Sequence, residues 1–447
     1  MALRQPPAEH RKTDLEAGHE LATRGVAHLV DESRTIREQM RAFQTRYAHR
    51  GSHAPLSPAT LSEIREGTKH YLDLQHALAD ATARTEPFAD AGTPLAAAAA
   101  LYDNHIAMLP LLADTHFRRL VNYPDLGYGI GKDELWNLVL HLSSRHSRYQ
   151  LRHLVERWQG TASEAADPQF AEAIAASTTV QHVEDATLDQ VLPTAALVRR
   201  LRAVDGLAEL GDSAMYAVSE AFGNAIGSVE MRKGKLWQRE DVLRHLHRVL
   251  RPLDLLLEKT PFRLTDYFIP GHFGHVAIWM GKAKEIRRLG VWKDEAMREE
   301  RLQACRPLIE EGRGVLEALR PGVELNALRV FANVDDLAVL RPTRMKRKEK
   351  RESLIRGFHQ VGKEYDFNFD VETTGTIVCS ELPYHVYPGV EWTTEEQLGR
   401  FTISPDNVAL EALGGNADFE LIAFYHDGAL VPQQDALRTM QTLMEQG

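Results

Sequence analysis

Apolar side chains return in steps of three and four over the first ~250 residues, and beyond that point strand-forming runs are mixed with them. This change of period constrains the fold more than any other feature of the chain. Ala22, Val26, Leu29, Ile36, Met40, Phe43 and Tyr47 fall on one helix face, with Ser33 filling the gap. Thr13, with Glu16 three residues later, has the pattern of a capping box at the start of that helix. Ser57-Pro58 opens a second helix with proline at its first position, and its stripe runs through Leu61, Ile64, Tyr71, Leu74 and Leu78, with Gly67 or Thr68 at the gap. Further helical segments are expected near 94–122, 132–158, 185–205, 211–226 and 240–250, with Pro110 kinking or dividing the first. Long helices with short connections make a bundle or an elongated helical domain, assigned to residues 1–245. Its stripes are expected to be core, a partner-binding or membrane-facing helix being the alternative.

From residue 246 to 447 the pattern is mixed. Leu255–Leu257, His275–Met280 (ended by Gly281), Leu337–Leu340, Gly375–Val378 and Glu420–Tyr425 are rich in strand formers. Helical pattern returns near 295–312 and 347–362, so a separate α+β domain is expected. The length of 447 residues agrees with two to three domains.

Composition narrows the function. Hydrophobic content of 43% with 26% charged residues is that of a soluble globular protein. A formal charge of −10 argues against nucleic acid as a partner. No apolar region follows the N-terminal residues, so no signal peptide is expected. The most apolar stretch, Pro94–Leu101, falls short of a membrane span of ~20 residues. Two cysteines, Cys305 and Cys379, make no disulfide framework. A reduced, cytoplasmic protein is expected, and such a compartment keeps a lone thiol usable.

Cys379 lies in Thr376-Ile377-Val378-Cys379-Ser380-Glu381-Leu382, where a buried strand gives way to the first turn of a helix. A thiol at a helix N-terminus is biased toward thiolate, and a nearby imidazole would accept its proton. Taken alone, an isolated cysteine is more commonly an inert core residue. His275 opens a strand in Pro270-Gly271-His272-Phe273-Gly274-His275-Val276-Ala277-Ile278-Trp279-Met280-Gly281, but the chain has 20 histidines and position alone does not single it out. His272, His275, Cys379 and His385 match no closed zinc motif, so no metal and no cofactor are expected. Gly127-Tyr128-Gly129-Ile130-Gly131-Lys132 lacks phosphate-loop spacing and is read as a turn before a helix starting near Asp133. No Gly-x-Ser-x-Gly elbow occurs. Residues 341–356 are strongly basic, a solvated helix start or a contact for an anionic substrate group or lipid headgroup.

Three ordered motifs resemble the YiiX/YaeF-type permuted papain-like amidases, relatives of the NlpC-type peptidases. Thr260-Pro261-Phe262, Ile269-Pro270-Gly271 and His275-Val276-Ala277-Ile278 resemble the histidine motif. Gly314-Val315-Leu316-Glu317-Ala318 with Val334-Asp335-Asp336-Leu337-Ala338-Val339-Leu340-Arg341-Pro342 resembles the middle section. Gly362-Lys363-Glu364-Tyr365-Asp366-Phe367-Asn368-Phe369-Asp370 followed by Val378-Cys379-Ser380-Glu381-Leu382 resembles the cysteine half. The resemblance spans about residues 250–425. It implies an α+β chain with an N-terminal all-helical domain followed by a circularly permuted papain-like domain of NlpC type. It also implies Cys379 as nucleophile, His275 as base, Glu317 on the neighbouring strand orienting the imidazole, and Tyr365 beside the cysteine as an oxyanion donor. Glu381 is expected to satisfy the helix dipole without taking part in the chemistry.

The implied activity is a cysteine hydrolase that cleaves an amide, or an ester or thioester, through a thioester at Cys379. The substrate is a small molecule, a peptide or an acyl-lipid amide. Related lecithin-retinol-type acyltransferases carry a second histidine soon after the first and an Asn-Cys-Glu-His pattern. No histidine follows His275 before Glu317 here, and the pattern reads Val378-Cys379-Ser380-Glu381, which favours hydrolysis over transfer to lipid. A lipid acyltransferase and a catalytically silent scaffold are the alternatives. Peripheral membrane contact through 341–356 and the oligomeric state stay open.

Overall fold

The computed structural model describes residues 8–48, 55–83, 91–161, 168–206, 232–261, 271–319, 321–366, 370–372, 375–397, 400–414 and 417–446, with the side chains of all of these but 8–24 and Thr161. The expected helix at 211–226, the capping side chains of Thr13 and Glu16, and Phe262, Ile269, Pro270 and Phe367–Phe369 of the motifs lie outside this description. Two compact units divide the chain. The first holds residues up to Ala54, Glu66–Tyr123 and Gly131–Ala208; the second holds Pro55–Arg65, Pro124–Ile130 and Glu209–Gly447. Residues 55–65 and 124–130 therefore pack with the C-terminal half, where a division at 245/246 had placed them with the helices.

The first unit is helical. Ala8–Ala48 begins five residues ahead of Thr13, and its stripe is buried at Val26, Ser33, Ile36, Met40, Phe43 and Tyr47. Pro58–Ala83, which the two units share, starts at the proline, and buries Leu61, Ile64, Tyr71, Leu74 and Leu78. Gly92–Ala113 runs through Pro110 and stops within one turn of it. Asp114 then caps Thr115–Asn122, its carboxylate accepting the Phe117 N–H at 2.7 Å. Among the described residues, Gly92–Ala113 is long and apolar enough to cross a membrane by length and composition, more than the apolar stretch at 94–101 had indicated. Of its most apolar window 72% is buried in the protein, as in a core helix. A polar network crosses that core: Asn104 Nδ2 donates to Ser33 Oγ (3.1 Å) and Gln75 Oε1 (3.2 Å), and Arg37 donates to Asn104 Oδ1 (2.8 Å). Such a network is specific because each buried amide group has its partner.

The second unit is built on a seven-stranded antiparallel sheet. In chain order its strands are β1 (Asp254–Lys259), β2 (His275–Trp279), β3 (Val315–Leu319), β4 (Gly322–Asn326) and β5 (Asp336–Pro342). Two-residue β6 (Glu364–Tyr365) and β7 (Thr376–Ile377) form a parallel pair, and β8 (Glu395–Gln397) and β9 (Arg400–Thr402) a hairpin. β10 (Phe419–His426) and β11 (Ala429–Leu430) complete the sheet, whose spatial order is β11-β10-β5-β1-β2-β3-β4. β1 is covered on both faces, which is why it reads as an unbroken apolar run, not as an alternation. On one face Leu256, Ala277, Trp279, Val315 and Val339 pack with Val242, Leu243 and Leu246 of the helix Glu240–Val249 and with Leu328 and Phe331. On the other, Leu316 and Met280 meet the helix Arg347–Gln360 so closely that a Cβ on Gly357 would lie 2.7 Å from Met280.

The two N-terminal insertions explain several buried polar groups of this unit. Lys363 Nζ lies 3.1 Å from Asp125 Oδ2, with Arg65 Nε 3.7 Å from the same oxygen, and all three side chains are at most 2% exposed. His359 Nδ1 hydrogen-bonds the Gly127 carbonyl at 2.6 Å while its ring stacks on Tyr128. Leu56 closes the other insertion: its N–H donates to Glu372 (2.7 Å) and its carbonyl accepts from the Tyr384 hydroxyl (2.7 Å). The Gly-rich stretch is a turn, as expected, with Gly129 at φ 65° and a helix from Glu134. Removing the counter-charge from a buried ion pair typically costs about 3–5 kcal/mol. Asp125→Ala is therefore expected to lower the unfolding free energy of the second unit by about that amount, measured as a shift of the urea midpoint at unchanged slope.

Candidate active site

Antiparallel register assembles the site. Ala277 of β2 stands opposite Glu317 of β3, so His275, two residues before Ala277, is the diagonal neighbour of Glu317 on the same face. His275 Nε2 is 3.2 Å from Glu317 Oε2. Glu317 Oε1 in turn accepts from Asn326 Nδ2 at 2.9 Å, Asn326 being the last residue of β4. Cys379 acts on His275 both by its charge and by a side-chain hydrogen bond, each raising the imidazole pKa. The result is a chain Cys379–His275–Glu317–Asn326 in which each group orients the next.

The entry to β2 is pinned. Asp406 accepts the His272 N–H (2.9 Å) and the Phe273 N–H (2.8 Å) through its two oxygens, and Gly274 N–H donates to the Glu258 carbonyl (2.9 Å). Gly271 makes this approach with φ 101°, and a Cβ there would lie 2.5 Å from the Asp406 carboxylate. Cys379 follows β7 and precedes the helix Glu381–Val386, which has six residues and so a short dipole. Its side chain is 6% exposed.

The electrostatics favour a charged imidazole. Burial acts against the imidazolium of His275. The charge of Cys379 and its hydrogen bond, the hydrogen bond from Glu317 and the charge of Glu258, which stands opposite His275 on β1, outweigh that penalty. The His275 pKa is thus held well above the ordinary imidazole range. Glu381 behaves in the opposite sense. It is 1% exposed, and burial, with Asp366, Asp370 and Cys379 nearby, pushes its pKa well above the usual carboxylate range. One oxygen accepts the Val378 N–H at 2.9 Å; the other, Oε1, has no hydrogen-bond partner. Glu381 thus accepts a backbone N–H ahead of the helix, from inside the protein and with a tendency to hold its proton, in place of the first-turn carboxylate expected to satisfy the dipole.

Of the residues singled out from sequence, Cys379, His275 and Glu317 come together. Tyr365 pairs in register with Ile377, two residues before Cys379, so it flanks the strand leading to the thiol and is half-buried. Asn326 and Asp406 escaped the sequence reasoning. The signal for Asn326 was weak: an amide at the end of a strand that follows β3 after a short turn. Three members of the basic run hold other parts of the protein, while Arg344, Lys346, Arg347 and Lys348 are exposed. Arg341 pairs with buried Asp254 (2.6 Å), Arg351 with Asp294 (3.4 Å), and Arg347 donates to the Arg288 carbonyl (2.6 Å). Cys305 is the other thiol. It is buried, and burial pushes its pKa up to about 11.

Residues 250–437 match a family model described as permuted papain-like amidase enzyme, YaeF/YiiX, C92 family. No curated protein and no solved structure matches the chain.

Two substitutions test this electrostatic description. Glu317→Gln removes a group that raises the His275 pKa, so His275 is expected to lose its proton at lower pH, read from its ring-proton shifts in an NMR titration. A raised imidazole pKa stabilises the fold fully below about 6.5, and this stabilisation is lost as pH rises through the folded value. The alkaline fall in unfolding free energy is thus expected earlier in the variant; an unchanged titration would separate Glu317 from His275. Glu381→Gln keeps an acceptor for the Val378 N–H but carries no proton to lose. A carboxyl with a raised folded pKa loses stability as pH rises from about 4.3, its unfolded value. The stability of the variant relative to wild type is therefore expected to be higher near neutral pH than near pH 4, measured by urea unfolding at both.

Proposed function

We propose, on the premise that residues 250–437 belong to the permuted papain-like amidase family, that this chain is a cysteine hydrolase acting on an amide through Cys379. The observation that carries the proposal is the hydrogen-bonded series Cys379–His275–Glu317. A thiol whose proton is shared with an imidazole, itself oriented by a carboxylate, is the arrangement of an activated nucleophile.

In the proposed reaction His275 holds the thiol proton and Cys379 sulfur attacks the substrate carbonyl. The Cys379 backbone N–H and the Tyr365 hydroxyl are the proposed donors to the oxyanion that forms. Collapse expels the amine, which takes its proton from His275, and leaves a thioester. Water, deprotonated by His275, attacks the thioester and releases the acid and the free thiol. Glu317 keeps the imidazole in one tautomer and offsets its charge, and Asn326 keeps Glu317 in place. The chain order, histidine strand before cysteine helix, supports a permuted papain-like topology for the second unit.

The substrate proposed is a peptide, a small molecule or an acyl-lipid amide. A reducing, cytoplasmic setting belongs to the same proposal, because it leaves Cys379 unoxidised.

Two measurements test the assignment. A thiol-directed acyl probe at neutral pH is expected to label Cys379 and leave Cys305 unmodified, and His275→Ala is expected to slow that labelling. Hydrolysis of a panel of amide substrates is expected to fall about 10²–10⁴-fold in His275→Ala. Labelling of Cys379 at the same rate with and without His275 would overturn the mechanism. Transfer of the acyl group to an added lipid acceptor in place of water would identify an acyltransferase.

A further inference from the structure

His272, Asp336 and His426 gather in a cluster none of whose members belongs to the Cys379–His275–Glu317 series. Each offers one donor atom, and the three donors lie within 4.8 Å of one another. They come from different parts of the sheet. His272 sits in the turn ahead of β2, Asp336 is the first residue of β5, and His426 is the last of β10. No sequence spacing announces such a set, which is why a search for closed zinc motifs passes over it.

The spacing is close to that of ligands sharing an ion, and the shorter of the two contacts, from His426 Nδ1 to Asp336 Oδ2, is also a hydrogen bond. Asp336 Oδ2 is 3.0 Å from His272 Nε2 and 2.8 Å from His426 Nδ1. Two donors bound at about 2.1 Å to one ion, roughly 90–110° apart, are themselves roughly 3.0–3.4 Å apart. A second observation is independent of the spacing. His272 is 9% exposed, and its Nε2 makes no hydrogen bond although the Asp336 carboxylate is so near. A buried ring nitrogen 3.0 Å from a carboxylate oxygen, with no hydrogen bond between them, is left to serve as a donor to an ion.

Neighbouring groups hold the donors in place. Asp336 Oδ1 accepts the Asp427 N–H at 2.7 Å, which leaves Oδ2 for the cluster. Asp406 fixes the backbone of His272 (2.9 Å). Such outer contacts are what keep metal ligands oriented. Asp336 and His272 are buried, while the His426 side chain is 39% exposed, so one side of the cluster is open to water.

We propose that His272, Asp336 and His426 bind one divalent transition-metal ion of the zinc type, with water completing its coordination. Two imidazoles and one carboxylate suit Zn²⁺ and its neighbours and suit Ca²⁺ or Mg²⁺ poorly. The ion would tie the turn that leads to His275 to β5 and β10, and the proposal is independent of the hydrolase reading.

The test uses the full chain, stripped with chelator and dialysed. Zn²⁺ is titrated by calorimetry, and Co²⁺ by the visible absorption of its bound form. One equivalent is expected in wild type and in Cys379→Ala. His426→Ala, at the exposed ligand, is expected to weaken binding about tenfold or more. Zn²⁺ is expected to raise the unfolding midpoint of wild type but not of that variant. Should His426→Ala fail to fold by circular dichroism, His426→Gln takes its place. Absence of stoichiometric binding would overturn the proposal. So would binding untouched by the His426 substitution, or binding lost in Cys379→Ala.

Discussion

A buried imidazole between a thiol and a carboxylate is stable only if the charges around it outweigh its lost hydration. At 4 Å two unit charges attract by about 4 kcal/mol in the effective dielectric of a protein surface, and more where water is excluded. Desolvation works against His275, and three groups on three different elements oppose it: Cys379 after β7, Glu317 on β3 and Glu258 on β1. The sheet is what brings them there. Its antiparallel register sets Glu258 opposite His275 and Glu317 opposite Ala277, so β1, β2 and β3 work as a single rigid mount. A slip of one residue in either pairing would send these side chains to the other face.

That dependence on register marks where sequence reasoning succeeds and where it stops. Strands β1, β2 and β5 were legible because a doubly covered strand is a run of apolar residues bounded by turns, and β10 through the strand formers it carries although Glu420 is exposed. Cys379 and His275 were legible through local context and motif order. Asn326, Asp406 and Glu258 were not, because their roles arise from contacts across the sheet or between distant loops: nine residues for Asn326 to Glu317, over a hundred and thirty for Asp406 to His272. A polar residue at a strand end looks the same in sequence whether it faces solvent or a catalytic carboxylate. The same holds for the two discontinuous units. Residues 55–65 and 124–130 carry ordinary helix-start and turn patterns, and only the fold shows which unit they join.

Those two insertions matter because they neutralise what the second unit buries. His359 and Lys363 lie at and just beyond the end of the helix Arg347–Gln360, and both look toward the 124–130 turn for a partner. The close approach of that turn depends on Gly127, where a Cβ would lie 2.2 Å from the His359 carbonyl. Lys363 is followed directly by β6, which pairs with β7 and so with the strand that delivers Cys379. The thiol is therefore placed by a short parallel pair whose near end is anchored by a buried ion pair to the N-terminal half of the chain.

The acids near Cys379 impose a further condition on this arrangement. Burial raises the pKa of Asp370 to about 6, and that of Glu381 well above the usual carboxylate range. For Glu381 the charge of Cys379 is one of the causes, with burial first and Asp366 and Asp370 adding to it, so every one of these groups works against its carboxylate form. Burial without compensation, harmful to stability at Glu381, disfavours its carboxylate, whereas at His275 the surrounding groups outweigh burial and favour the charged ring. Low-dielectric surroundings raise the cost of an uncompensated charge and strengthen the interactions of a compensated one, so the two opposite outcomes have one cause.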